Sequence, residues 1–141
     1  MQYIEQSCII KMHNTKTGET YEQSVEAFVA EDNDSNPIGL AYFDALTTKG
    51  EDCYTVTHLP SGFEAYSFLY QEDARKFIEA IAPLTDWSSL TAKDIFEDAE
   101  LIKKVKAALF DAVNADRTRL HRRDRKTKGY LMQKSREIAG V

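Results

Sequence analysis

Cys53-Tyr54-Thr55-Val56-Thr57-His58-Leu59-Pro60-Ser61-Gly62-Phe63-Glu64-Ala65-Tyr66-Ser67-Phe68-Leu69-Tyr70 is the stretch that decides the fold. β-branched and aromatic residues fill both flanks of Pro60-Ser61-Gly62, a three-residue loop with glycine placed for the left-handed conformation. That loop sets a hairpin register over residues 53–70: Leu59 opposite Phe63, His58 opposite Glu64, Val56 opposite Tyr66 and Tyr54 opposite Phe68. Side chains alternate faces along a strand, so Tyr54, Val56, Tyr66, Phe68 and Tyr70 share one side, with His58 and Glu64 at its end. Cys53, Thr55, Thr57, Ala65 and Ser67 share the other. The aromatic side reads as core and the second side as solvent-facing; a one-residue slip would reverse them.

Downstream, Glu72-Asp73 opens a helix over 72–82 with acids in its first turn, where the macrodipole favours them. Ala74, Phe77, Ile78 and Ile81 form its apolar stripe and Pro83 ends it. Thr91 and Asp94 stand at capping-box spacing before a second helix over 92–115. Its stripe is Ile95, Ala99, Ile102, Val105, Leu109, Ala112 and Val113. Beyond Asp116 only Leu120 is apolar until Gly129, which is expected to break any continuing helix before Tyr130-Leu131-Met132.

Upstream, Cys8 to Met12 is β-rich and Thr15 to Glu19 reads as a turn. From Tyr21 a returning strand through Val25, Phe28 and Val29 competes with a short helix from Ser24. Residues 31–36 form an acidic loop. Asn36-Pro37 has the form of an N-cap with proline at the first helical position. Ile38, Ala41, Tyr42, Ala45 and Leu46 then make a helical stripe closed by Lys49-Gly50; Gly39 weakens the helix, and a strand is the alternative. The expected fold is α+β: a small antiparallel sheet with hairpin 53–70 packed by helices 72–82 and 92–115. Residues 1–116 form one domain and 117–141 a basic C-terminal helical arm.

The charge is split along the chain. Residues 1–100 carry 19 acidic and 6 basic side chains, a balance of −13, and residues 101–141 carry 4 acidic and 12 basic, a balance of +8; together these give the net −5. Arg117 to Arg136 holds nine Lys/Arg against the single Asp124. Such asymmetry points to a basic arm that meets a polyanion or an acidic protein surface. The candidate contact residues are Arg117, Arg119, Arg122, Arg123, Arg125, Lys126 and Lys128. The arm grips phosphates, lies on the acidic body of its own chain or a neighbour's as a homo-oligomer, or is a solvated helix end. No base-reading side chains accompany it, so phosphate contacts without strong sequence selectivity are expected.

The chemistry of catalysis is sparse. His13, His58 and His121 are scattered with no partner at metal-ligand spacing. There is no glycine-rich phosphate loop, GxSxG or HExxH. Cys8 and Cys53 are far apart, which suits reduced thiols, and Cys53 and His58 fall on opposite faces of one strand. His58 and Glu64, as cross-strand neighbours, form a candidate ion pair that would raise the histidine pKa. The 14 tyrosines and phenylalanines read as core rather than base-stacking platforms, and Trp87 as a plug between helices. No catalytic residue, cofactor or metal is assigned. No apolar run nears the roughly 20 residues that span a bilayer, and the N-terminus lacks signal-peptide features; a cytoplasmic protein with no membrane contact is expected.

Tyr54 to Phe63, followed by Asp73-Ala-Arg-Lys-Phe77, resembles the ββα segments of small proteins on phages and plasmids. The resemblance covers about 30 residues around these segments, implies no activity and carries over no functional residue. The functional expectation is a non-enzymatic accessory protein that contacts nucleic acid or a nucleoprotein complex through the arm. The alternative is a protein-binding inhibitor, adaptor or assembly factor of a phage or other mobile element that uses the acidic body as its contact surface.

Overall fold

A computed structural model describes residues 1–13, 16–46 and 50–138, with side chains for all of these except 12, 13 and 121–138. Five strands come first: β1 Gln2–His13, β2 Thr20–Glu31, β3 Pro37–Leu46, β4 Asp52–His58 and β5 Phe63–Phe68. They form one antiparallel meander in the order β1-β2-β3-β4-β5. Helices α1 Gln71–Ile81, α2 Ala92–Glu97 and α3 Ala99–Ile138 follow, with two short 3-10 turns, Ala82–Leu84 and Trp87–Ser89, between α1 and α2. The fold is α+β, as the sequence indicates.

The competition at Tyr21 resolves as strand, because the segment is apolar with period 2: Val25, Ala27 and Val29 pack on one side and Phe28 and Ala30 on the other. The helical stripe expected over 38–46 is corrected to strand β3. Its residues Leu40 to Phe43 are all buried, with Leu40 and Tyr42 toward the helices and Ala41 and Phe43 toward the opposite face. A strand that is apolar on both faces offers partners at i+3 and i+4 as readily as at i+2, which imitates a helical period. Gly39, at φ +87°, sits where the backbone of Ser88 leaves no room for a side chain: a Cβ there would lie 2.9 Å from the Ser88 Cα. The close is in part outside the description, since Lys49 lies outside the described residues, as does Thr15 of the first turn.

The principal core lies between one face of the sheet and the helices. Tyr42, Val56 and Phe68 meet Ala74, Phe77, Ile78 and Ile81 of α1, and Leu101 and Ala112 of α3. Fully burying a side chain such as Phe77 stabilises by roughly 1.5–3 kcal/mol, and Phe77→Ala would cost about 3–5 kcal/mol through transfer and cavity together.

Along β4 the opposite face is not solvent-facing, which corrects the expectation for Cys53, Thr55 and Thr57: all three are buried. Ser67 on β5 is exposed as expected. A second cluster of Ile10, Ala27, Val29, Ala41 and Phe43 fills this side, with Cys8, Val25, Ala45 and Leu59 around it. No helix covers it. The sheet coils on itself instead, as twisted antiparallel strands do. Lys11 on edge strand β1 lies against Gly62 in the β4–β5 turn, near enough that a Cβ on Gly62 would be 2.9 Å from the Lys11 Cβ. The two ends of a five-strand meander thereby approach one another.

The hairpin register holds at its far end and slips near the turn. Tyr54 pairs with Phe68 and Val56 with Tyr66, as the loop requires. A bulge then leaves Ala65 as an extra residue, so Thr57 pairs with Glu64 and His58 with Phe63. Ala65 thereby packs with the helix-side core rather than on the opposite face.

Helix α1 agrees with expectation within a residue. The capping box Thr91/Asp94 is present, with Asp94 N–H donating to Thr91 Oγ1 at 3.2 Å and Thr91 N–H to Asp94 Oδ2 at 3.0 Å. The single helix over 92–115 is corrected to two. The chain breaks at Asp98, whose side chain accepts from Leu101 N–H at 3.0 Å and caps α3 afresh. The helix does not break at Gly129: α3 runs through it to Ile138.

Candidate functional site

The basic segment of α3 begins where the helix is fastened to the body. Asp116, one turn before Leu120, is 5% exposed. Its Oδ2 accepts from Leu69 N–H and its Oδ1 from Tyr70 N–H, each at 3.0 Å. These amides lie at the junction of β5 and α1, where Tyr70 offers no side-chain cap. Asp73, in the first turn of α1, is completely buried and accepts from Arg119 Nε through both oxygens, at 3.2 and 3.0 Å. Arg119 Nη1 also reaches Glu72 Oε2 at 3.1 Å. Three carboxylates, Asp116, Asp73 and Glu72, and one guanidinium thus latch α3 to α1 and the β5–α1 junction.

Burial pushes the Asp116 carboxyl above the usual carboxylate range. The Leu69 and Tyr70 amides oppose that shift and the Asp73 carboxyl beside it reinforces it. Arg119 shifts further upward through its hydrogen bond and charge interaction with Asp73. The pair is asymmetric: Asp73 is fully buried while the Arg119 side chain is 41% exposed, so losing the guanidinium would strand the buried carboxylate.

Among the sequence-predicted contact residues, Arg117 is exposed and Arg119 is engaged in the latch. Arg119 is therefore an anchor of the arm, with its guanidinium already held by acids of the same chain. The side chains of Arg122, Arg123, Arg125, Lys126 and Lys128 lie outside the described residues, although the α3 backbone is helical through all five.

His58 and Glu64 do not form the expected pair. The Ala65 bulge sets His58 across from Phe63 and Glu64 across from Thr57. His58 is buried; its Nε2 donates to the Trp87 carbonyl at 2.6 Å, and its Nδ1 lies 2.7 Å from Ser61 Oγ. With Nε2 protonated, Ser61 can donate to Nδ1 while its oxygen accepts from Phe63 N–H at 3.1 Å. The histidine thus ties the hairpin turn to the 3-10 turn at Trp87. Glu64 has its carboxyl pushed up by burial. Trp87 is buried as anticipated, with Nε1 donating to the Ile81 carbonyl at 2.8 Å.

Sequence reasoning missed a pocket beside this histidine. Val56, Ala65, Phe77, Trp87, Ile95 and Ile102 are among its walls, and Lys106 is its charged residue. The available signal was Glu97-Asp98-Ala99-Glu100, which reads as a second N-cap with first-turn acids and so as a break between two helices. Both thiols are free, with Cys53 buried and its thiol pushed up chiefly by that burial. Among the described residues, no three His, Cys, Asp or Glu side chains are gathered as a metal site, and no helix is long and apolar enough to cross a membrane. No protein-family model matches the chain, and neither a curated protein nor a solved structure is similar enough to count as a match.

Proposed function

We propose that the protein is a non-enzymatic accessory factor that holds nucleic acid through the basic segment of α3, by phosphate contact and without strong sequence selectivity. The observation that supports this reading is that α3 is assigned as one helix from Ala99 to Ile138 and is latched to the body at Asp116 and Arg119. The remaining cations follow that latch on the same helix. From Arg117 to Lys128 the axis advances about 16 Å at 1.5 Å per residue. That length matches roughly five phosphates along one strand of a duplex at 3.4 Å each. Arg117, Arg122, Arg123, Arg125, Lys126 and Lys128 supply the cations; Arg119 sets the direction in which the helix leaves the body. Arginine suits this task because its planar fork meets phosphate oxygens two at a time.

The test is fluorescence anisotropy with labelled 20-base-pair duplexes of two unrelated sequences. Both duplexes are expected to bind with equal affinity. Replacing Arg122, Arg123, Arg125 and Lys126 together with Ala removes about four phosphate contacts, which predicts about a thousandfold weaker binding at 0.15 M salt. Unchanged affinity in that variant defeats the reading. If neither duplex binds and a protein is captured instead in a nuclease-resistant complex, the contact surface is the acidic body.

A further inference from the structure

Between α2, the first half of α3 and the helix-covered face of the sheet lies a pocket of about 340 Å³. Its size falls within the range of small-molecule sites and far exceeds the gaps of an ordinary protein core. The break at Asp98 creates it: Ile95 on α2 and Ile102 on α3 line the same space from two separate helices. Buried Val56, Phe77 and Trp87 form its floor. At the lip, Phe63 and Phe96 meet edge to face at 5.2 Å, exposed 47% and 59% respectively.

The polar content of the walls selects the ligand. Thr57 Oγ1 donates to the Phe63 carbonyl at 3.1 Å, and the ring nitrogens of His58 are held by Ser61 and Trp87. Trp87 Nε1 is spent on the Ile81 carbonyl. Each polar side chain of the interior is thus satisfied by the protein itself, and a polar ligand would lose its water for nothing in return. Lys106, which is exposed, is the charged member of the lining. The walls therefore ask for hydrocarbon inside and one negative charge at the rim.

We propose that this pocket binds a single-chain amphiphile with one carboxylate, its alkyl chain among Val56, Phe77 and Trp87 and its head group on Lys106. A methylene occupies about the volume of a water in the liquid, roughly 30 Å³, so the cavity takes a chain of about ten carbons. The site is separate from the basic segment of α3, and its occupancy does not depend on nucleic acid.

The probes are decanoate and decanol, titrated into the intact protein. Trp87, the single tryptophan of the chain, lines the site and reports occupancy by its fluorescence; calorimetry gives the stoichiometry. One decanoate is expected per chain, with decanol binding as well. Lys106→Ala should weaken decanoate about fivefold, the scale of an exposed ion pair, and leave decanol unchanged. Val105→Phe, from a half-buried position on the wall, should abolish binding of both while circular dichroism stays native; Ile102→Phe serves the same purpose should Val105→Phe unfold. Absence of saturable binding overturns the proposal, as does equal binding in a folded, filled-pocket variant. Loss of decanol and decanoate in equal measure on Lys106→Ala removes the assigned head group. A dimer that Phe96→Ser dissociates, and in which decanoate finds no site, would give the lip to a second copy of the chain.

Discussion

Asp116→Ala is the perturbation that reads the latch most sharply. Its two oxygens each hold one backbone amide, Leu69 N–H and Tyr70 N–H, at 3.0 Å. Alanine leaves both donors unpaired, and an orphaned buried donor costs about 1–3 kcal/mol. Leu69 and Tyr70 are half-buried, so water partly recovers the loss and the lower end applies to each. Relief of the crowding between Asp116 and Asp73 offsets a further part. The net is about 1.5 kcal/mol, which for a chain of this size lowers Tm by about 5 °C. Thermal melts followed by circular dichroism, with urea titrations to confirm an unchanged m value, measure it. Asp116→Asn should recover less than half, because its one carbonyl oxygen can accept from one amide while its NH2 group opposes the other. A melting temperature within about 2 °C of the parent for Asp116→Ala would refute the claim that these two bonds fasten α3 to the β5–α1 junction.

Titration of the same carboxyl gives a second prediction. Its folded pKa is raised by burial, so the native state binds a proton over a window just above the ordinary carboxylate range in which the unfolded state has lost it. The contribution of Asp116 to stability is therefore full below the unfolded value and declines as pH rises through the folded one. Stability of the parent minus that of Asp116→Ala should be larger in acid than at neutral pH, read from urea midpoints across the pH series; an equal or opposite difference contradicts it. At Gly39, alanine would combine φ +87° with a Cβ 2.9 Å from the Ser88 backbone, and a loss of about 2 kcal/mol or more is expected in urea unfolding. A neutral Gly39→Ala would show that the Trp87–Ser89 turn does not press on β3 as described.

What the sequence made legible were the features that short-range rules specify. Pro60-Ser61-Gly62 set the hairpin, with Gly62 at φ +69°, and the pairs Tyr54–Phe68 and Val56–Tyr66 followed. The bulge at Ala65 did not, because it belongs to the coiling that brings Lys11 to Gly62, a contact between segments far apart in the chain. β3 was misread for the same reason: the coil gives its second face a core of its own, so Ala41 and Phe43 are as apolar as Leu40 and Tyr42. The helix break at Asp98 was hidden because the stripe Ile95, Ile102, Val105 and Leu109 continues across it, toward a shared pocket rather than a shared helix face. The cationic segment was plain from composition. Its anchor was not, since Asp73 and Arg119 carry no mutual signal at a separation of 46 residues.

The salt dependence of duplex binding by the unaltered protein tests the central claim most directly. Five neutralised phosphates predict that log Kobs falls against log salt with a slope of about −4.5, and that the slope shallows to between about −1 and −2 when Arg122, Arg123, Arg125 and Lys126 become Ala and only Arg117 and Lys128 remain. A slope near zero in the parent, or the same steep slope in the quadruple variant, would contradict the assignment of α3 as the nucleic-acid contact.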